Sequence, residues 1–219
     1  MASPYERRVQ SILKEYVTPL LTERGFVRDR SLYYRRLNEI TWLLEVERSG
    51  FNDATQANFT ITCGVYVPKV IAREMGRKDP ARPMQTDCPL HARLGSLGED
   101  HLDTWWTLSI VDDATQVDAE IGRDIVERLT RDALPFLQRF RSPADVLGFL
   151  LEPREGEDKQ VWPWDRLGSL IYASILSLLL GDCAKSHTLW DEAVQAAARG
   201  PLESTMPVIE KRIFGAEEP

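Results

Sequence analysis

Apolar and polar positions along this chain fall into three kinds of pattern, and they change in order. The first is helical. Val9, Ile12, Leu13, Tyr16, Val17 and Leu20 recur every three or four residues, which places them on one face of a helix. Ser3 with Pro4 and Glu6 has the layout of a capping box, Pro19 is expected to kink the last turns, and Gly25 to end them. The second pattern has period two. Residues 26–28 and 32–36 are short apolar stretches flanked by charge. Over residues 39–48, Ile40, Trp42, Leu44 and Val46 alternate with Thr41, Leu43, Glu45 and Glu47, as on a strand with one buried face. Residues 50–57 carry Gly, Asn and Asp and read as a loop. Residues 58–67 are rich in β-branched and aromatic side chains, which predicts a central strand. Consecutive strands with short connections favour an antiparallel meander.

Beyond Val67 the alternation breaks up. Residues 68–76 predict a short helix, residues 77–103 read as irregular, and residues 103–111 return to strand character. The third pattern is helical again. Thr115 and Asp118 resemble a capping pair, Val117, Ile121, Ile125, Val126 and Leu129 form a stripe, and Pro135 interrupts it. Asp112 and Asp113 stand ahead of that helix, where carboxylates favour the helix dipole. Ser142-Pro143 opens a helix running to Leu151. The charged, Pro- and Gly-containing stretch at residues 152–158 marks a boundary. After it, Leu167, Leu170, Ile171, Ile175, Leu178 and Leu179 predict one helix ending at Gly181. Ala184, Trp190, Ala193, Val194 and Ala197 predict another, and Ser204 is the expected cap of a last short helix. The fold class is therefore α+β. A mostly antiparallel sheet has the N-terminal helix and the long helix packed on one face, in a domain of residues 1–152. A C-terminal helical hairpin follows as an appendage of residues 159–219, able to bury its stripe intramolecularly or in a homodimer.

Composition changes this picture only at the margins. Among the 219 residues, 43% are hydrophobic and 28% charged, as in ordinary globular proteins. The formal net charge of -7 argues against nucleic acid as a main partner and is compatible with a basic protein partner. The apolar run around residues 170–180 is too short to span a bilayer, so no membrane contact is expected. Three widely spaced cysteines and an N-terminus without a secretion-signal layout lead to the expectation of a soluble, cytoplasmic protein.

Candidate chemistry concentrates between Cys88 and Trp106. Cys88, His91, His101 and Asp103 supply sulfur, nitrogen and oxygen donors that zinc accepts, although their spacing is not diagnostic. The same groups could form an activated thiolate, with Cys88 as nucleophile, His91 or His101 as base and Asp103 orienting it. No oxyanion-hole motif, phosphate-binding glycine loop or metalloprotease helix accompanies them, and no cofactor is expected. Cysteines of this kind are more often small buried hydrophobes. Trp105 and Trp106 should point to opposite faces of a strand, one into the core and one outward. Arg93 and Asp103 are expected to pair with each other and hold the preceding loop. The cationic run Arg28, Arg30, Arg35, Arg36, interleaved with Tyr33 and Tyr34, is more readily the solvated side of a hairpin than a phosphate track.

The succession Gly25-Phe26, Tyr33-Tyr34-Arg35, residues 59–65, Arg93-Leu94-Gly95 and Asp103-Thr104-Trp105-Trp106 resembles a bacterial family, domain of unknown function 4304, over about the first 150 residues. The most specific element is the Asp-x-Trp-Trp that follows Arg-Leu-Gly. At Thr62 the chain departs from the asparagine expected of that pattern. The resemblance implies a compact α+β domain and no reaction. Together these readings favour a non-enzymatic protein-binding module, of the kind small acidic immunity proteins exemplify by neutralising basic toxins, with His91, Arg93, Asp103, Trp105 and Trp106 as its contact candidates. The alternative is a hydrolase or zinc-dependent enzyme built on Cys88, His91, His101 and Asp103.

Overall fold

The computed structural model of the chain describes residues 4–52, 56–109, 114–153 and 160–215. The expected cap at Ser3, the carboxylates Asp112 and Asp113, and the core of the expected boundary, residues 154–158, lie outside the described residues.

The first helix is continuous but not uniform. It runs as α1 (Pro4–Ile12), a π-helical turn over Leu13–Val17, and α2 (Thr18–Glu23). The expected kink at Pro19 takes the form of this π turn. Proline has no N–H to give to the carbonyl one turn back, and a turn widened by one residue absorbs the mismatch. The Thr18 N–H donates to the Leu13 carbonyl, five residues back. Gly25 ends the helix at φ +80°, a conformation glycine adopts without a Cβ penalty. The device recurs in the long helix: α4 (Ala114–Arg128), a π turn over Leu129–Ala133, then α5 (Leu134–Gln138) with Pro135 in its first turn. The two helices pack closely where Gly122 meets the Tyr16 ring; a Cβ there would stand 2.3 Å from it. The Asp118 carboxylate, in the first turns of α4, forms an ion pair with Arg8 at 2.7 Å, and the residues that precede α4 lie outside those described.

Six antiparallel strands are found among the described residues: β1 (Val27–Asp29), β2 (Leu32–Arg36), β3 (Thr41–Arg48), β4 (Gln56–Tyr66), β5 (Leu90–Arg93) and β6 (Trp106–Ser109). The order is β1-β2-β3-β4-β5, with β6 also on β4. β5 corrects the expectation that residues 77–103 are irregular throughout. Its alternation of Leu90 and Ala92 with His91 and Arg93 is too short to stand out from sequence, and its pairing with β4 creates it.

Period-two alternation divides the sheet into two faces. Tyr33, Trp42, Leu44, Val46, Phe59, Ile61, Cys63, Val65, Leu90, Ala92, Trp106 and Leu108 all enter one large core with α1, α4 and α5. The Trp42 indole N–H is satisfied there by the Phe140 carbonyl at 2.8 Å. The other face carries a small cluster of Leu32, Leu43, Tyr66 and Cys88, with Tyr34 beside it. Residues 77–88 lie over this end. Arg77 pairs with Asp87 (2.5 Å), Tyr66 donates to Asp79 (2.9 Å), and Arg82 pairs with Asp29 (2.8 Å). A short helix, α3 (Val70–Met75), precedes them.

The remaining helices are α6 (Pro143–Leu151), α7 (Arg166–Leu179), α8 (Cys183–Ala197) and α9 (Met206–Phe214). Ser142 and Asp145 cap α6 reciprocally. The backbone amides of Arg141 and Ser142 hold the Asp145 carboxyl below its ordinary range. Asp165 and Asp182 cap α7 and α8. Ser204 does not cap α9; it lies in a 3-10 turn, Glu203–Thr205, that leads into the helix. Leu170, Ile175, Trp190, Ala193, Met206 and Ile213 join the same apolar core as the sheet. Arg212 ties α9 to α3 by donating to the Glu74 carbonyl at 2.9 Å. Among the described residues no helix is long and apolar enough to cross a membrane.

Candidate functional site

β5 and β6 are two halves of one edge strand. Arg93 sits opposite Thr62, the Leu94 N–H donates to the Ile61 carbonyl (2.8 Å), the Thr60 hydroxyl donates to the Thr104 carbonyl (2.8 Å), and Trp106 sits opposite Phe59. Residues 95–104 leave the sheet between these points as a compact loop with adjacent ends, an Ω-loop. The Arg-Leu-Gly and Asp-x-Trp-Trp elements are its two ends.

The neck of the loop is built from named contacts. A Cβ on Gly95 would lie 2.3 Å from the Leu102 carbonyl oxygen and 2.4 Å from the Thr104 nitrogen, so no other residue fits without moving the backbone. Arg93 pairs with Asp103 as expected. The Asp103 carboxylate also accepts the Trp105 indole N–H at 3.1 Å, and the Arg93 guanidinium lies 5.0 Å from the Trp105 ring centroid. Trp106 faces the other way, buried against Phe59, and its indole N–H donates to Asp124 on α4 at 2.7 Å. The loop is thus clamped from both faces. Within it His101 takes a positive φ of 51°, and its Nδ1 stands 3.2 Å from the Ser96 carbonyl. Glu99 and Asp100 are exposed at the turn, and Leu102 is 63% exposed.

The four candidate metal donors are not brought together. Cys88 lies in the small cluster under residues 77–87, its thiol donating to the Met84 carbonyl (3.4 Å), at a point that only Gly64 leaves open. Burial pushes this thiol far up, the opposite of an activated thiolate. His91 stacks on Trp162 at 5.6 Å, with Nδ1 3.3 Å from the Cys88 carbonyl, and burial holds its imidazole below the ordinary value. His101 belongs to the loop and Asp103 to its neck. No group of three or more His, Cys, Asp or Glu that could hold a metal ion occurs among the described residues. The zinc and cysteine-nucleophile arrangements expected from Cys88, His91, His101 and Asp103 are therefore not assembled. One-dimensional proximity placed these groups together, and the strand pairing of Leu90–Arg93 separates them.

The cationic run is divided as well. Arg28 is drawn to Gln10 and Thr18, and Arg35 reaches the Arg24 carbonyl across the face of Trp42, while Arg36 lies beside Tyr34. Sequence reasoning missed a groove of about 600 Å³ at the bare end of the second face. It is lined by Glu47, Ser49, Phe51, Asn58, Arg93 and Trp105, and Phe51 is 95% exposed. The one available signal was a phenylalanine directly after Gly50 in an otherwise polar loop.

Fold and site together define an α+β protein with an antiparallel sheet, one face buried by helices and the other half open beside a clamped loop. The chain belongs to the family described as Domain of unknown function (DUF4304), which matches residues 17–139. That stretch includes the whole sheet, the loop and α4; the tail helices lie beyond it. No curated protein and no solved structure matches the chain.

Proposed function

We propose that the chain is a non-enzymatic protein-binding module, and that residues 95–104 are its recognition loop. The observation that carries this reading is the exposed Leu102 beside Glu99 and Asp100 on a loop held rigid by the Gly95, Arg93–Asp103 and Trp105 contacts. A pre-ordered loop loses little conformational entropy on binding. An apolar anchor with an acidic rim complements a surface that is apolar at its centre and cationic around it. With a net charge of -7, the whole chain draws such a partner in the same direction. This supports a cytoplasmic protein that neutralises or holds a basic protein, with immunity against a basic toxin as the specific form.

The test is capture of partners from cells of the source organism by the full chain, compared with Leu102→Ala and with Glu99→Lys/Asp100→Lys. The expected result is a basic protein bound by the parent chain, released by salt, and lost with either variant. Capture that survives both variants, or whose partner is acidic and insensitive to salt, would rule the reading out.

A further inference from the structure

We infer that the outer edge of β6 is an interface between two copies of the chain, paired antiparallel about a two-fold axis at Thr107 so that the two sheets continue into one. The direction in which the main chain of β6 faces follows from its neighbour. The Ser49 N–H donates to the Asn58 carbonyl at 2.9 Å, so Asn58 bonds toward β3. Successive residues of a strand bond to opposite sides, so Ala57 and Phe59 bond toward β6, to their register partners Leu108 and Trp106. The N–H and C=O of Thr107 therefore point away from the sheet, and by the same alternation so do those of Trp105. Among the described residues β6 pairs with β4 alone, and Thr107 is exposed.

The other edges of the sheet are guarded. At β5 the Trp162 N–H occupies the His91 carbonyl at 2.8 Å. β1 carries Arg28 and Asp29, and Arg82 lies across it, donating to the Asp29 carbonyl at 2.7 Å. Charge and a covering segment are usual means by which a protein keeps an edge strand from pairing. Residues 104–109, Thr-Trp-Trp-Thr-Leu-Ser, include no charge and no proline. A bare, uncharged edge of strand-forming residues is a template for another strand.

The strand that fits this edge is the same edge. With Thr107 opposite Thr107 of the second copy, each Thr107 N–H donates to the other's carbonyl, and Trp105 comes opposite Ser109 on both sides of the axis. The largest side chain then stands beside one of the smallest, and a threonine pair, a favourable cross-strand combination, lies on the axis. No like charges meet within the pairing. The net charge of -7 on each copy opposes association through solvent, and salt screens that repulsion. A dimer of this kind tightens as salt rises, the reverse of a complex held by ion pairs.

The experiment is sedimentation equilibrium of the full chain, with Thr107→Pro, Thr107→Val and Leu102→Ala beside it, each shown to be folded by circular dichroism. The full chain is expected at twice the chain mass at concentrations up to about 0.1 mM, with association strengthening from about 50 mM to about 500 mM salt. Thr107→Pro removes the outward N–H, which no ladder bond to β4 uses, and symmetry removes it twice. Dimerisation should fall on the order of a hundredfold, about tenfold for each bond. Thr107→Val loses the same hydroxyl bond to Asn58 but keeps the N–H, and should still dimerise. Leu102→Ala should leave the dimer unchanged, which separates this edge from the recognition loop. Oxidative cross-linking reads the register independently, and decides the matter should Thr107→Pro not fold. It is done in a Cys183→Ser background, because Cys183 is exposed. Thr107→Cys should form a disulfide between copies, since residues opposed across an antiparallel pair lie within disulfide reach, whereas Val27→Cys on the β1 edge should not. A monomer at the highest concentration would overturn the pairing and leave the edge to a strand of another protein. So would a folded Thr107→Pro that dimerises like the parent, a dimer that weakens with salt or disappears in Thr107→Val or Leu102→Ala, or a Thr107→Cys that fails to cross-link.

Discussion

Trp105 and Trp106 are consecutive, chemically identical, and have opposite fates. Trp106 enters the helix-covered face, is 5% exposed, and spends its indole N–H on Asp124 of α4. Trp105 enters the open face, stays half-buried, and spends its N–H on the loop's own Asp103. The contrast extends over the whole sheet. The helix-covered side is a continuous run of apolar side chains shared with α1, α4 and α5. The other side has its apolar cluster where residues 77–88 cover it, Trp162 stacked on His91 at β5, and hydroxyls and charged side chains beside the Ω-loop. One face holds the fold together, and the other has composition to spare for recognition. A protein can change the second without unfolding, because little of its free energy of folding resides there.

Breaking the two tryptophans one at a time tests this directly. Trp106→Ala should cost about 3–5 kcal/mol, the range for deleting a large core aromatic, with a fall in the urea midpoint at unchanged slope. Trp105→Ala should cost about 1 kcal/mol at most, since a half-exposed ring gives up much less contact. Equal losses would mean that the open face is structural too. Next in size, Gly95→Ala should cost up to about 3 kcal/mol by forcing the neck apart. Hydrogen exchange should then show lost protection confined to residues 93–106.

The covered end of the open face can be separated from the core by its thiols. Cys63 and Cys88 are both fully buried, Cys63 among the helices and Cys88 beneath residues 77–87. In the native protein Cys183, which is exposed, should be the cysteine labelled by iodoacetamide. Asp87→Ala removes the partner of Arg77 and of the Met84 N–H. It should speed Cys88 labelling on the order of tenfold through local opening while Cys63 stays protected. Parallel labelling of both would show that the cover and the core open as one unit.

The smaller effects are electrostatic. Asp103→Ala should cost under about 1 kcal/mol, because both partners of its ion pair are well exposed, even though it loosens the loop. His91 gives the pH dependence. Burial lowers its imidazole below the ordinary value of 6.5, so the unfolded chain binds the proton before the folded chain does. Its contribution is therefore complete above pH 6.5 and declines as the pH falls from 6.5 toward the lowered native value. His91→Phe keeps a ring on Trp162 and cannot titrate. The difference in stability between parent and variant should change across that interval and be flat above it.

Much of the scaffold was legible in one dimension. The helical stripe of Val9 to Leu20, the alternation of Ile40 to Val46 and the Gly25 terminus all appear in place, because period and punctuation are local properties of the backbone. The opposed directions of Trp105 and Trp106 follow from the pleat alone, and the Arg93–Asp103 pair could be anticipated from its loop. The candidate site was less legible. Cys88, His91, His101 and Asp103 are near neighbours in sequence, but β5 is recruited by the exposed edge of β4 and turns alternate residues to different surroundings. Phe51 and Asn58 gave little sign of sharing a groove with Trp105, since the strands that align them lie far apart along the chain.

The order of residues by itself determined which segments coil, which extend, and which side of each segment seeks the core. That information is carried by local sterics and by the spacing of apolar groups. Only the tertiary structure decided that β5 and β6 are one strand with a loop drawn out of it, that the thiol lies buried under its own segment, and that a groove opens beside Trp105. Those outcomes depend on long-range backbone pairing and on what happens to cover a face, quantities that no window of neighbouring residues contains.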